Sequence, residues 1–230
     1  MAFLEQCSSA RMGSYAFRLN GAELEAHPAG VLWWPERCVL AVADMHLEKG
    51  SSYARSGVFL PPYDSHATVD RLTAVVAELA PARVIAMGDS FHDNEAESRL
   101  DRTAAERLAA LTRKCEWVWL TGNHDPAPAE CFTGNILDEW LEGPLVFCHE
   151  PTHGRFGEVA GHLHPKIRVN TRGRSVGGRC FVTDGNQLVM PAFGALTGGL
   201  SAKDRDVRGL FREQPMALMI GPAKVHPVAV

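Results

Sequence analysis

Val84-Ile85-Ala86-Met87-Gly88-Asp89-Ser90-Phe91-His92-Asp93 is the stretch around which the rest of the chain is organised. An apolar run rich in β-branched residues reads as a buried strand. It stops abruptly at Gly88-Asp89, so a carboxylate is delivered at a strand's C-terminal end, the edge at which open α/β sheets hold their ligands. Four other stretches repeat the design, an apolar run followed by metal-ligating residue types: Val39–His46, Trp117–Asp125, Leu145–His149 and Val159–His164. Asp89 lies in the middle of that series. One carboxylate can serve two clusters of donors if each of its oxygens faces a different cation.

Bulk properties bound the reading without directing it. A chain of 230 residues can bury an ample core. The net charge of −4 gives no global argument for a polyanionic partner, so any such binding needs a local patch. Six cysteines, at 7, 38, 115, 131, 148 and 180, form no C-x-x-C pair and read as thiols of a reducing cytosol rather than a disulfide frame or thiolate zinc site. The N-terminus lacks a signal-peptide profile, and no apolar run approaches the roughly 20 residues of a membrane span. The expectation is a cytoplasmic protein with no membrane partner.

Residues 1–14 show no periodicity and are expected to be a loose tail, with residues 15–230 one domain. From Tyr15 to Val42, apolar pieces separated by Asn20-Gly21 and Pro28-Ala29-Gly30 suggest two or three strands leading into the first ligand strand. Trp33 and Trp34, with nothing basic around them, read as core. Asp64–Ala80 reads as a helix capped by Asp64, with Val69, Leu72, Val76 and Leu79 as its apolar stripe. A second helix is expected from about Glu95 to Lys114, with Asn94 as cap and Leu100, Ala104, Leu108 and Leu111 facing inward. Strands alternating with helices argue for a largely parallel core with helices outside. Asp184-Gly185-Asn186 signals a hairpin between strands near 180–182 and 187–190, and 217–220 and 224–228 look like closing strands.

The five strand ends supply Asp44 and His46, Asp89, Asn123 with His124 and Asp125, His149, and His162 with His164. The spacing of Asp44-Met45-His46 puts carboxylate and imidazole on the same side of an extended segment. Carboxylate, imidazole and one amide oxygen suit first-row ions such as Mn²⁺, Fe²⁺ or Zn²⁺, and the missing thiolates argue against a structural zinc. Seven candidate ligands, one of them bridging, are too many for a single tetrahedral ion and right for two adjacent cations. No side-chain nucleophile is required, so Ser90 reads as structural.

In this order and spacing, Asp44-x-His46, Gly88-Asp89, Gly122-Asn123-His124-Asp125, His149 and Gly161-His162-x-His164 resemble the calcineurin-like metallophosphoesterases. The resemblance implies a four-layer α/β/β/α sandwich. It implies one ion held by Asp44, His46, Asp89 and His164, and a second by Asp89, Asn123, His149 and His162. His124 would then face the scissile phosphate and assist the leaving group, with Asp89 and His124 as the catalytic pair. The family's usual Gly-Asp-x-x-Asp is interrupted here, because His92 stands fourth after Gly88 and Asp93 one later. Asp93 and Asp125 are therefore both candidates for the partner of His124.

Ala43–Gly50, Gly57–Pro61, Gly88–His92 and Val189–Gly199 extend the likeness to most of the chain and are similar to the ligase-associated metallophosphoesterases of the PdeM type. That narrower resemblance implies a manganese-dependent phosphodiesterase or DNA endonuclease working in DNA repair beside a DNA ligase and helicase. Its chemistry would be in-line attack by a water activated between two divalent ions. Single-stranded or damaged DNA is one substrate class implied; a small phosphodiester or nucleotide is the alternative. A scaffold that has lost catalysis is a third reading, opposed by the presence of every ligand and of His124. From His162 to Thr183 every charged residue is basic, including Lys166 and Arg168, so segment 166–179 is either a positive wall for a polyanion or a solvated hairpin. Lys49, Arg55 and His92 are the other candidate substrate contacts, with Arg55 first as a phosphate clamp and Tyr53 between Lys49 and Arg55 as a stacking face.

Overall fold

A computed structural model describes residues 12–61, 63–125, 132–171 and 173–230. Two sheets pack face to face. The first holds β1 (Tyr15–Leu19), β2 (Ala22–Ala26), β3 (Leu32–Trp34), β4 (Val39–Val42), β5 (Arg83–Met87), β6 (Glu116–Leu120) and β7 (Asn135–Leu137), side by side in that order. The second is built from β8 (Glu139–Glu142), β9 (Leu145–Cys148), β10 (Glu158–Ala160), β11 (Lys166–Thr171), β12 (Arg174–Thr183), β13 (Leu188–Val189), β14 (Met216–Ile220) and β15 (Val225–Ala229). Its spatial order is β15-β14-β12-β13-β10-β9-β8, with β11 pairing β12 beside that path. The pairs β4–β5 and β5–β6 in the first sheet and β9–β10 in the second are parallel, and the candidate donors that follow all five strands meet at one rim.

Alternation along the strands builds the layers. Val84 and Ala86 of β5 face a core shared with α2 (Asp64–Leu79) and α4 (Arg102–Thr112). Ile85 and Met87 face Phe147, Val159 and Phe181 of the second sheet. Both faces of β5 are thus buried, which is why its sequence is apolar throughout. Trp33 and Trp34 go to opposite faces of the first sheet, and both are core residues as their surroundings suggest. The outer face of the second sheet packs Ile167, Cys180 and Val182 against Val207 and Phe211, around α5 (Arg205–Arg208). The four-layer α/β/β/α sandwich is therefore present, with a thin fourth layer.

Several expectations need correction. Asp64 does not cap α2, for Tyr63 holds the cap position. Its carboxylate instead accepts the Gly50 amide at the start of α1 (Lys49–Arg55), at 2.9 Å. The single helix expected over 95–114 is two, α3 (Ala96–Arg99) and α4, broken where Asp101 accepts the amides of Thr103 and Ala104 and starts a new helix. The inward residues Leu100, Ala104, Leu108 and Leu111 are nevertheless all buried. Of the expected tail, residues 1–11 lie outside the described residues, while Gly13 accepts the Val225 amide at 2.9 Å and so is docked rather than loose. Cys115, Cys148 and Cys180 are free, but Cys38 is disulfide-bonded, contrary to the expectation of six thiols. Among the described residues no helix is long and apolar enough to cross a membrane.

Candidate metal centre

Each donor sits in the turn just after its strand, and the turns are strained. Among the described residues nine non-glycine residues have positive φ, and Asp44, His46, Asp89, His162 and His164 are five of them. Such conformations cost on the order of 1–3 kcal/mol each and persist only where surrounding contacts over-determine them. Those contacts are visible. The His46 amide donates to the Asp89 carbonyl, Leu47 to Ser90, Gly161 to His149, and Gly194 to the Asp44 carbonyl, all between 2.9 and 3.0 Å. The Asp44 and His46 turn is consequently left-handed at both residues, not extended. The two side chains still converge, by backbone twist instead of strand alternation.

Glycine is required where the turns touch. A Cβ on Gly88 would lie 2.5 Å from the His149 ring, and one on Gly122 would lie 2.4 Å from Asp89 Oδ1. This close packing is why Gly precedes the ligand in Gly88-Asp89 and Gly122-Asn123.

Asp89 lies between two sets of donors. Its Oδ2 is 3.7 Å from His46 Nε2, and its Oδ1 is 3.4 Å from His149 Nε2. On the first side, His46 Nε2 and His164 Nε2 are 3.3 Å apart, with His164 Nε2 3.2 Å from Asp44 Oδ1. On the second, Asn123 Oδ1 is 2.8 Å from His149 Nε2 and 3.0 Å from His162 Nδ1. Asp44-His46-His164 and Asp44-Asp89-His149 are each close enough to hold a metal ion, as is His46-Asp89-His124. The structure thus brings all seven sequence-predicted ligands into one centre.

The donor chemistry fits divalent cations. Asp44 and Asp89 are buried, and among the described residues the ion pairs involving them are all with histidines. One of these, His46, is not a counter-charge: burial first, then His164 and Lys49, lowers its pKa to about 2 and keeps the ring neutral. Two buried carboxylates without cations carry a heavy desolvation cost. His149 adds a geometric argument. Its Nδ1 lies 3.1 Å from the Met87 carbonyl, which can only accept, so in the neutral ring Nε2 presents a lone pair. That lone pair points at Asp89 Oδ1 and Asn123 Oδ1, both acceptors. A cation among them turns mutual repulsion into coordination.

The partner of His124 is neither candidate aspartate. His124 Nδ1 is 2.9 Å from the His92 backbone carbonyl, and its own amide donates to Asp89 Oδ1 at 2.9 Å. Asp93 is taken by Arg99, at 2.7 Å. Asp125 accepts the Phe91 amide at 3.0 Å, and its carboxyl is raised to about 7 by burial and then by Asp89. His92 stacks on His124 with centroids 4.9 Å apart and brings its Nδ1 to 3.4 Å from His46 Nδ1. It is therefore integral to the histidine set.

The other candidate contacts divide. Arg55 is ion-paired to Glu95, so its guanidinium is already engaged. Lys49 lies 5.7 Å above the Tyr53 ring; burial lowers its pKa while Asp89 and Asp64 oppose the shift. Lys166 donates to the Thr197 carbonyl at 3.0 Å. Lys166, Arg168 and Arg179 line a cleft of about 600 Å³ that includes Gly199, whose ideal Cβ would meet the His164 carbonyl. Arg179, the last cation of the basic segment singled out in the sequence, donates to the Ala192 and Phe193 carbonyls behind the Asp44 turn, whereas sequence reasoning missed Arg71, whose guanidinium lies 4.1 Å above Phe193. The Val189–Gly199 likeness was the available signal for that wall.

The model for calcineurin-like phosphoesterases matches residues 39–186, which contain every one of these donors. The chain belongs to the calcineurin-like phosphoesterase family. It is a hydrolase of phosphoester bonds with a divalent metal site. The crystal structure of the Pseudomonas putida nuclease MPE is 26% identical, aligns over 94% of this chain and 100% of that one, and superposes with a TM-score of 0.72. Yfce, a phosphoesterase from E. coli, aligns over 84% of this chain and 98% of that one at 15% identity and a TM-score of 0.41. No curated protein matches the chain.

Proposed function

We propose that this protein is a two-metal phosphodiesterase acting on nucleic acid, with DNA as its substrate. The observation that carries the two-metal reading is the position of Asp89, whose two oxygens face separate donor sets. Asp44, His46, Asp89 and His164 would hold one ion; Asp89, Asn123, His149 and His162 would hold the other. Carboxylate, imidazole and amide oxygen without thiolate favour Mn²⁺, with Fe²⁺ or Zn²⁺ compatible. When bound, two such ions supply Lewis acidity, lowering the pKa of a water from about 15.7 toward neutrality and neutralising charge on the phosphate oxygens.

The chain's own residues do the rest. The His92 carbonyl fixes the His124 proton on Nδ1, so Nε2, 4.0 Å from Asp89 Oδ2, is the atom that faces the reacting group. In the imidazolium form, which carries a second proton on Nε2, that proton can pass to the departing oxygen and leave the neutral Nδ1–H ring, a contribution of typically 10²–10⁴-fold for a placed general acid. The buried glycine-lined turns keep the donors fixed before substrate arrives, so little reorganisation remains during the reaction.

Support for a nucleic-acid substrate comes from two sides. The Pseudomonas putida relative is a nuclease by name. Lys166, Arg168 and Arg179 line a cleft beside His164, a positive wall suited to a polyanion. The likeness to ligase-associated enzymes extends this to a role in DNA repair beside a ligase and helicase. The test is hydrolysis of single-stranded DNA and of bis-p-nitrophenyl phosphate by Mn²⁺-loaded protein and by Asp89→Asn. Wild type should cleave both, with DNA cleavage falling steeply as salt rises, and Asp89→Asn should cleave neither. Activity surviving in Asp89→Asn would refute the two-metal reading; cleavage of the small diester alone would move the substrate to a small phosphoester.

A further inference from the structure

Between residues 53 and 63 the chain exposes Tyr53, Val58, Phe59 and Tyr63, with Phe59 87% and Tyr63 72% accessible. Apolar side chains this exposed, this close together in the chain and beside a site, mark a binding surface. The exposed Phe156, by contrast, is covered by the Arg212 guanidinium at 4.9 Å.

The segment is fastened at both ends. Gly57 donates to the Ala54 carbonyl and Val58 to the Tyr53 carbonyl, each at 3.0 Å. At the far end Asp64 accepts the Gly50 amide, and Ser65 Oγ accepts the Glu48 amide at 2.8 Å. Both anchors lie on the stretch that follows His46. The Tyr53 ring is 5.7 Å from the His92 ring, which stacks on His124. Tyr53 thus links the segment through His92 to His124, Phe59 and Tyr63 lie further along the same exposed stretch, and Lys49 adds a positive charge over Tyr53.

We infer that Tyr53, Phe59 and Tyr63 form a stacking platform for the unpaired bases of a single-stranded nucleic acid whose phosphate enters the metal centre. This deepens, and rests on, the nucleic-acid reading above. Flat rings beside a phosphodiester site match the π-faces of bases, which a strand exposes only when it is unpaired, and the lysine matches its backbone charge. A duplex hides those faces, so the platform selects single strands.

The test compares kcat/KM of the full-length Mn²⁺-loaded protein on a single-stranded DNA oligonucleotide and on an oligonucleotide of equal length with abasic residues throughout. The two probes carry the same charge and differ only in their bases. Wild type should favour the base-bearing strand. Phe59→Ala with Tyr63→Ala should lower that preference on the order of five- to a hundredfold, the range for losing one stacked base. Phe59→Trp with Tyr63→Phe should retain it. Phe59→Ala alone, removing an exposed ring with little packing to lose, guards against misfolding of the double variant and should lower the preference in the same direction. An unchanged preference in the alanine variants, or equal cleavage of both strands by wild type, would overturn the platform and leave the nucleic-acid reading intact. Cleavage of neither strand by wild type would instead overturn that reading and the platform with it. Light scattering that showed a dimer lost in Phe59→Ala would give the surface to a second copy of the chain and also overturn the proposal.

Discussion

A methyl group added at Gly122 would place its carbon 2.3 Å from the Asp89 amide nitrogen, 2.4 Å from Asp89 Oδ1 and 2.6 Å from Asp125 Oδ1. Each is about 1 Å short of ordinary van der Waals contact. Neither neighbour can yield easily. Asp125 is buried and bound to the Phe91 amide, and the left-handed Asp89 turn is tied to His46 through its carbonyl. In Gly122→Ala the Asp89 carboxylate must therefore shift relative to the donors on both of its sides. Misplacement by about 1 Å costs on the order of 10²-fold in rate. Overpacking of this kind costs about 1–3 kcal/mol, or roughly 2–12 °C in Tm for a chain of this size. Steady-state hydrolysis of bis-p-nitrophenyl phosphate together with a thermal melt separates the two effects. The expected result is a folded protein, modestly less stable, with kcat/KM lowered about a hundredfold. A folded Gly122→Ala protein within threefold of wild type would refute the claim that the placement of Asp89 limits the chemistry.

His124→Ala should lower kcat about 10²–10⁴-fold while leaving the number of bound metal ions as in wild type, checked by elemental analysis, because His124 is outside the proposed ligand set. His92→Ala keeps the backbone carbonyl that orients His124 and loses only the ring stack, so its kcat should fall no more than about tenfold. Burial pushes the Asp93 carboxyl up, but hydrogen bonds from Arg99, Ser52 and the Glu95 amide more than offset this and hold it at about 2. A carboxyl depressed in this way stabilises the fold fully above its ordinary value near 4, and that contribution is lost as pH falls through about 2. Melting temperatures of Arg99→Gln should therefore lie below wild type at neutral pH, with the gap closing on acidification through that window. Chelation should abolish hydrolysis and lower Tm, and Mn²⁺ should restore both, since metal removal leaves Asp44 and Asp89 buried without counter-charge.

The five strand ends and their candidate donors were legible because each follows an apolar run; parallel pairing aligns the run ends within each sheet, and the packing of the two sheets brings them to one rim. Helices outside a largely parallel core followed from periodicity, and the four-layer sandwich from the family resemblance. What stayed hidden had no periodic signature. The break at Leu100–Asp101 falls inside an unbroken apolar stripe, so only the capping bonds of Asp101 reveal it. The left-handed Asp44 and His46 turn defeats a rule of strand alternation. His124 is held by a backbone carbonyl, which any residue at 92 would provide, so no side-chain candidate could have been right. Arg55 looked free because Glu95, its partner, lies forty positions away in sequence.

Anomalous diffraction from crystals of the Mn²⁺-loaded protein addresses the central claim most directly. Two manganese peaks should flank Asp89, one beside Asp44, His46 and His164 and the other beside Asn123, His149 and His162, each touching a different carboxylate oxygen. A single peak, or two peaks that leave Asp89 without a metal contact, would contradict it.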